Sequence, residues 1–278
     1  MAGQSRGGSG YALLPMIQFG FHALTDSGLV RSNNEDALAF DANYGVAVLA
    51  DGMGGYNAGE VASSMAVVAV KAELVRWLTV NGSRQSSKQV ARVIEMSFDE
   101  ANLAILNASI SNPLYAGMGT TLVVGVFLDK RLIVAHLGDS RCYRLRAGVL
   151  TQMTKDHSML QEQVDAGFLT KEQAAYAPGK NMLTRALGVE EVVRVDMHEH
   201  AVEPGDLYLM CSDGLTDMMT DKEIALVLTQ HSQLALMATE LVNQCNLNGG
   251  RDNISVLLVQ ADDPAGNTGL ISRLFGKP

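Results

Sequence analysis

An α+β layered domain built on antiparallel sheets is the fold class that the sequence predicts, and three observations carry that reading. Blocks of short strand-like runs alternate with pairs of long helical segments, which argues against a doubly wound parallel sheet. Neighbouring strand-like runs are joined by only a few residues, too few for a crossover helix, so they are expected to pair antiparallel. The chain has 278 residues, 47% of them hydrophobic, enough for one large domain or two small ones, and the motifs described below favour one.

Residues 1–15, MAGQSRGGSGYALLP, are rich in Gly and Ser and lack periodicity, so a flexible leader is expected there and the folded domain over 16–261. IQFGFHA (17–23), DALAFDA (36–42) and YGVAVLAD (44–51) read as strands bounded by Gly, Asn and Asp turn signals. Apolar residues recur at helical spacing over 58–80 and, after Asn81-Gly82-Ser83, over 87–110, which predicts a helical hairpin. GTTLVVGVFLD (119–129), RLIVAHLGD (131–139) and SRCYRLRAG (140–148) are expected to form one antiparallel meander. Residues 157–188 read as short helices and irregular loop. DLYLMCSD (206–213) reads as a buried strand, 221–230 and 232–247 as helices, and NISVLLVQ (253–260) as the closing strand. The tail 262–278 is expected to be flexible, including the apolar cluster from Leu270 to Phe275.

Charge and cysteine usage narrow the function classes. Lys and Arg total 21 against 30 Asp and Glu, a formal charge of −9. No long basic run offsets it, which argues against a dedicated binder of nucleic acid or anionic membranes. Cys142, Cys211 and Cys245 are widely spaced and odd in number, so neither a disulfide framework nor a CxxC metal knuckle can be drawn. No apolar run approaches the ~18–20 residues of a membrane span, and the N-terminus lacks the zones of a signal peptide. A soluble, cytoplasmic protein is expected.

The chemistry is expected at the strand ends. Apolar strands run into Asp51-Gly52, Asp139-Ser140 and Asp213-Gly214, and Asp252 stands just before the final strand. Singly, each aspartate is a common turn residue. As a set, joined by the Glu35-Asp36 pair, they form an oxygen-only group without Cys or His at ligand spacing, which suits Mg²⁺ or Mn²⁺ and not Zn²⁺ or copper. So many carboxylates cannot all ionise together without a cation, and the charge is sufficient for two ions. Arg31 lies in GLVRSNNED (28–36) beside these acids. Its guanidinium could pair with one of them, but next to a metal cluster it is better matched to a phosphate.

In order, GLVRSNNED, ADGMGG (50–55), GMGTT (117–121), GDSR (138–141), CSDG (211–214) and GGRDN (249–253) resemble the motifs of the protein phosphatase 2C family, the metal-dependent serine/threonine phosphatases, in its bacterial form. The resemblance runs from about Phe19 to Gln260. It implies a four-layer α/β/β/α sandwich, two antiparallel sheets flanked by helix pairs. It also implies that Asp51 bridges two metal ions, that the Gly52 carbonyl binds the second, and that Asp213 and Asp252 complete the first. Glu35 and Asp36 would hold metal-bound waters, Asp139 with Asp213 would form a third, weaker site, and Arg31 would grip the substrate phosphate. Arg31, Asp51 and Asp213 are thus the expected catalytic residues, acting by in-line attack of a metal-bridging hydroxide on phosphoserine or phosphothreonine, without a covalent phosphoenzyme.

One position departs from the family pattern. Eukaryotic relatives often carry a histidine directly after the Asp-Gly, as a general acid, where this chain has Met53. His157, in KDHS, is the one motif-like histidine that could take an acid role, although a loop histidine is more often a local hydrogen-bonding residue. Residues 158–187 correspond to the family's flap, from which Lys180 and Arg185 could contact an acidic phosphopeptide. The implied partners are phosphoproteins and an opposing serine/threonine kinase, and a monomer is expected. Two other readings keep the fold: a non-catalytic phosphoprotein-binding module, disfavoured because every ligand position is filled, and a phosphatase of small phosphomonoesters. No Walker loop, Rossmann fingerprint or GxSxG elbow is present.

Overall fold

The computed structural model describes residues 17–55, 58–174, 177–179 and 182–262. The expected leader over 1–15, the tail beyond 262 with its apolar cluster, and Lys180 lie outside the described residues.

Among the described residues, eleven strands form two antiparallel sheets. In chain order they are β1 (Gln18–Asp26), β2 (Asp36–Asp41), β3 (Val46–Met53), β4 (Gly119–Thr120), β5 (Leu122–Leu128), β6 (Arg131–Leu137), β7 (Arg141–Arg146), β8 (Val149–Gln152), β9 (Asp196–Ala201), β10 (Leu207–Cys211) and β11 (Ile254–Asp262). One sheet has the order β1-β11-β10-β7-β8, the other β2-β3-β5-β6-β9, with β4 pairing the end of β3. Helices α1 (Ala58–Asn81) and α2 (Ser87–Ser111) follow β3; α3 (Met159–Asp165) and α4 (Lys171–Ala174) lie within the 158–187 segment. Helices α5 (Asp213–Thr216), α6 (Asp221–Gln230) and α7 (Leu234–Leu247) fill the stretch between β10 and β11.

Side-chain alternation explains why these strands read as unbroken apolar runs. In β3, Val46, Val48 and Ala50 pack with α1 and α2, while Ala47 and Leu49 join the core between the sheets. In β11, Ile254, Val256 and Leu258 pack with α6 and α7, while Leu257, Val259 and Ala261 face the other sheet. Both faces of each central strand are therefore covered, and each must be apolar. Three cores stack as helix on sheet, sheet on sheet and sheet on helix, which is the four-layer sandwich. Reciprocal capping boxes start α2 at Ser86 with Gln89, and α6 at Thr220 with Glu223.

Two expectations need correction. The stretch 119–148 is not one meander: β5 and β6 pair with each other, but β7 pairs with β8 and β10 in the opposite sheet. Gly138 turns the chain from one sheet to the other at φ +103°, with Thr121 so close that a Cβ would lie 2.6 Å from Thr121 Cγ2. Only glycine tolerates both the dihedral and the contact. The last strand also runs on through Asp262, one residue into the expected tail. The His198-Glu199-His200 stretch lies in β9 at the edge of its sheet.

Candidate metal centre

The acidic residues gather where the two sheets meet at one end. Asp36 opens β2 directly opposite Asp51 near the end of β3. Asp51 is fixed by its backbone: its N–H donates to Thr121 Oγ1 (3.0 Å), and its carbonyl accepts from the Thr121 N–H (2.9 Å) and the Thr120 hydroxyl (2.8 Å). Gly52 sits where β3 runs into the start of α1. A Cβ there would lie 2.1 Å from Gly59 O and 2.5 Å from Glu35 O, so no side chain fits. The Glu35 carbonyl accepts from the Gly52 N–H (3.1 Å) and the Ser63 hydroxyl (2.5 Å).

The opposite sheet supplies the remaining acids. Asp213 is the first residue of α5, immediately beyond β10, and Asp252 stands two residues before β11. Ser212 joins the sheets: its hydroxyl donates to Asp36 Oδ2 (2.8 Å) and accepts from the Ser255 N–H (3.0 Å). Asn253 does the same for the 27–35 loop, accepting from the Glu35 N–H (2.8 Å) and donating to Asn33 O (2.8 Å) and Ser27 O (3.1 Å). Asp139 lies in the turn that carries the chain between sheets.

Burial and mutual repulsion dominate the electrostatics. Burial pushes Asp36 up to about 6 and, with the charge of Asp156, Asp139 up to about 7 against the pull of Arg141. Asp51 and Asp213 are pushed well above the usual carboxylate range, by burial and then by the other carboxylates. Asp36 Oδ1 and Asp213 Oδ1 are buried without a hydrogen-bond partner. An orphaned carboxylate oxygen is costly, and a divalent cation is the partner that would satisfy several at once. The donor set is all oxygen, so the residues present fit hard cations. Arg31 borders the cluster, half exposed, with Nη2 on Asp252 Oδ2 at 2.7 Å. That hydrogen bond raises its pKa above the ordinary guanidinium value.

The flap segment is stitched to this end of the molecule. Thr120 and Leu187 exchange backbone hydrogen bonds (3.1 and 2.9 Å), and Asn102 of α2 accepts from the Gly188 N–H (2.7 Å) while donating to Glu190 O (2.8 Å). His157 is buried, and both of its ring nitrogens are engaged. The Gly138 N–H donates to Nδ1 (3.1 Å), which leaves the proton on Nε2, 3.1 Å from Asp196 Oδ2. The Gly138 carbonyl in turn accepts from the His157 N–H (3.0 Å), so His157 clamps the residue before Asp139. Serving as a proton donor would require this network to open. Arg185 Nη1 donates to Asp196 Oδ1 (3.0 Å) and faces His157, so its charge is already paired.

His136, His157 and Asp196 bring potential ligand atoms within 4.8 Å of one another. The two imidazoles, however, stack with planes 13° apart, so their in-plane lone pairs do not converge, and Arg185 fills the place of a cation. The acidic cluster, with its all-oxygen donor set, is the better candidate. The residues that sequence reasoning did not single out are those that hold the acidic residues in place, Thr120, Thr121, Ser212, Asn253 and Ser63, and Asn102, which ties down the end of the flap. Four of them stand inside the quoted motifs, which is the signal that could have found them.

The profile of the family described as Protein phosphatase 2C matches residues 30–255. A serine/threonine phosphatase, stp, of Listeria monocytogenes is 38% identical over 244 residues, covering 86% of this chain and 94% of that protein. The serine/threonine phosphatase PstP/Ppp of Mycobacterium tuberculosis superposes with a TM-score of 0.80 at 36% identity, over 89% of this chain and all of that one. The catalytic domain of PstP in complex with two manganese ions gives a TM-score of 0.78 at 35% identity, over 90% and 100% of the respective chains.

Proposed function

Because the chain belongs to the protein phosphatase 2C family, and is thereby a metal-dependent serine/threonine phosphatase, we propose that its acidic cluster is the catalytic metal centre. Asp51, the Gly52 carbonyl, Asp213 and Asp252 would hold two Mn²⁺ or Mg²⁺ ions, Glu35 and Asp36 would hold waters around them, and Asp139 with Asp213 would offer a third, weaker site. The observation that carries this reading is the pair of buried, unpartnered oxygens, Asp36 Oδ1 and Asp213 Oδ1, contributed by opposite sheets. When bound, the ions supply Lewis acidity toward the phosphoryl group and make a coordinated water acidic enough to ionise near neutral pH.

The chain's own residues supply orientation and charge. Arg31 can exchange its contact with Asp252 for the substrate phosphate, whose oxygens match the guanidinium fork and whose growing charge it offsets. Hydrogen bonds from Thr120 and Thr121 to the backbone of Asp51 keep it in place before any ligand arrives, so little reorganisation is left for the reaction step. His157 holds the Asp139 turn, and Arg185, paired to Asp196, anchors the end of the flap; Lys180 remains a candidate for phosphopeptide contact. The reading extends to phosphoserine and phosphothreonine proteins as substrates, an opposing serine/threonine kinase, a monomeric state and a cytoplasmic setting. No helix among the described residues is long and apolar enough to cross a membrane.

Phosphate release from a phosphothreonine peptide tests it, with Mn²⁺, Mg²⁺ or chelator, for wild type, Asp51→Asn and Asp213→Asn. Metal-dependent turnover that both variants lose is the expected result. A folded wild type that binds phosphopeptide but turns over with neither metal would reduce the chain to a binding module.

A further inference from the structure

Beside the acidic cluster, the end of α7 and the loop that carries Arg31 enclose an open groove of about 420 Å³, lined by Leu29, Glu240, Asn243, Gln244, Asn246 and Leu247. Its walls continue the segments that frame the phosphate site. The Leu29 N–H donates to Gly250 O (2.7 Å), and a Cβ on Gly28 would lie 2.3 Å from Asp252 O, so the 28–29 backbone rests directly on 250–252. Two residues on, Arg31 meets Asp252 Oδ2 at 2.7 Å. The opposite wall is fixed by Asn246 Nδ2, which donates to Asp26 Oδ1 at the end of β1 (3.2 Å).

The groove combines exposed aliphatic side chains with polar ones. Leu29 and Leu247 are 68% and 77% exposed, large aliphatic side chains left in water on its two sides, and Val30 adds a third beside Leu29. Exposed apolar groups clustered at a depression and rimmed by polar residues mark interaction surfaces. Asn243 places an amide on the wall, a group that pairs with a passing peptide backbone. Glu240 is the one charged lining residue, and it is held by Gln244 Nε2 (2.8 Å).

We propose that this groove receives the polypeptide flank of the substrate: an aliphatic side chain two to four residues from the phosphorylated Ser or Thr seats between Leu29 and Leu247, and Glu240 disfavours acidic flanks. This rests on the phosphatase reading above. The reach is set by the chain itself, because Leu29 and Arg31 are two residues apart, at most ~7 Å along an extended backbone. A phosphate held at Arg31 therefore brings the substrate's near neighbours over the groove.

The test is a panel of phosphothreonine peptides with Leu, Lys or Asp at positions two to four on either side, assayed with wild type, Leu247→Ser and Glu240→Lys, with p-nitrophenyl phosphate as a flank-free control. Leu247 and Glu240 lie outside the metal centre, and Leu247 is exposed, so both variants should fold and hydrolyse the control at the wild-type rate. Expected is a kcat/KM about tenfold higher for Leu than for Asp on one side of the phosphothreonine, a ratio that falls towards one in Leu247→Ser. Glu240→Lys should relieve the penalty for Asp alone. A flat panel with the control still hydrolysed, or a preference unchanged in both variants, overturns the groove assignment while leaving the phosphatase standing. A dimer that Leu247→Ser dissociates would give the groove to a second copy and overturn it too. If neither peptides nor control are hydrolysed with either metal, the phosphatase reading fails first and the groove proposal falls with it.

Discussion

Burial and the charges of Asp36, Asp213, Asp139 and Asp252 push the Asp51 carboxyl well above the usual carboxylate range, so its ionised form is costly until a cation arrives. Replacing it by the near-isosteric Asn removes both the ligand charge and the repulsion. Asp51→Asn is therefore expected to lose at least about 100-fold in metal-dependent phosphate release, the scale on which removing electrostatic stabilisation acts. In EDTA near pH 7.5 the same variant should melt several degrees higher than wild type; an equal or lower melting temperature would show that repulsion does not govern this site. Asn253 works in the opposite sense, because its three hydrogen bonds hold the loop that carries Arg31 and Glu35. Asn253→Ala should cost about 1–3 kcal/mol in denaturant unfolding and raise the Mn²⁺ concentration needed for half-maximal binding in titration calorimetry. Asp51 and Asn253 also mark the limit of what the sequence reveals here. An aspartate at the end of an apolar strand announces itself, whereas an asparagine whose partners lie more than 200 positions away is only a letter in a motif.

Among the elements, legibility followed the range of the interactions. Helices α1 and α2 were readable nearly to the residue, because their apolar spacing and the break at Asn81-Gly82-Ser83 are local. The passage from β6 to β7 was not: a short connection ordinarily joins paired strands, and only the contact of Gly138 with Thr121 makes this one change sheets. Strand β8 escaped notice because its four residues alternate exposed and half-buried at a sheet edge, with little apolar signal. The flap gives a prediction at this scale. Its C-terminal end is tied to α2 by Asn102, buried, with Oδ1 on the Gly188 N–H and Nδ2 on Glu190 O. Asn102→Ala leaves those backbone groups unpaired, so faster proteolytic cleavage within 166–190 is expected, with a loss of about 1–3 kcal/mol in stability. If the cleavage rate stays at the wild-type value while stability falls, Asn102 supports only the core and does not restrain the flap.

For the molecule as a whole, the acidic cluster is a joint between the sheets, since Asp36 and Asp51 come from one and Asp213 and Asp252 flank strands of the other. Without a cation that joint carries repulsion, and its pH dependence has a definite sign. Carboxyls raised in the folded state, Asp139 to about 7 and Asp51 and Asp213 well above the usual carboxylate range, bind protons that the unfolded chain has already released, so metal-free stability falls as pH rises. His136, His157 and His200 oppose this, because burial lowers their pKa values and the unfolded chain takes up their protons more readily. Their contribution centres just below the ordinary imidazole value near 6.5 and fades over about one pH unit above it. Towards pH 8 the carboxylates should therefore set the slope. In EDTA the melting temperature is expected to rise as pH is lowered from 8 to 6.5. Mn²⁺ at about 100 times its dissociation constant should add ~2.7 kcal/mol at pH 7.5 and flatten that slope. Because the ions would join strands of both sheets, amide hydrogen exchange should slow in β3 and β5 as well as in β10 and β11. A metal-free protein that grows more stable from pH 6.5 to 8, or protection confined to one sheet, would mean that the cluster binds metal without fastening the sandwich together.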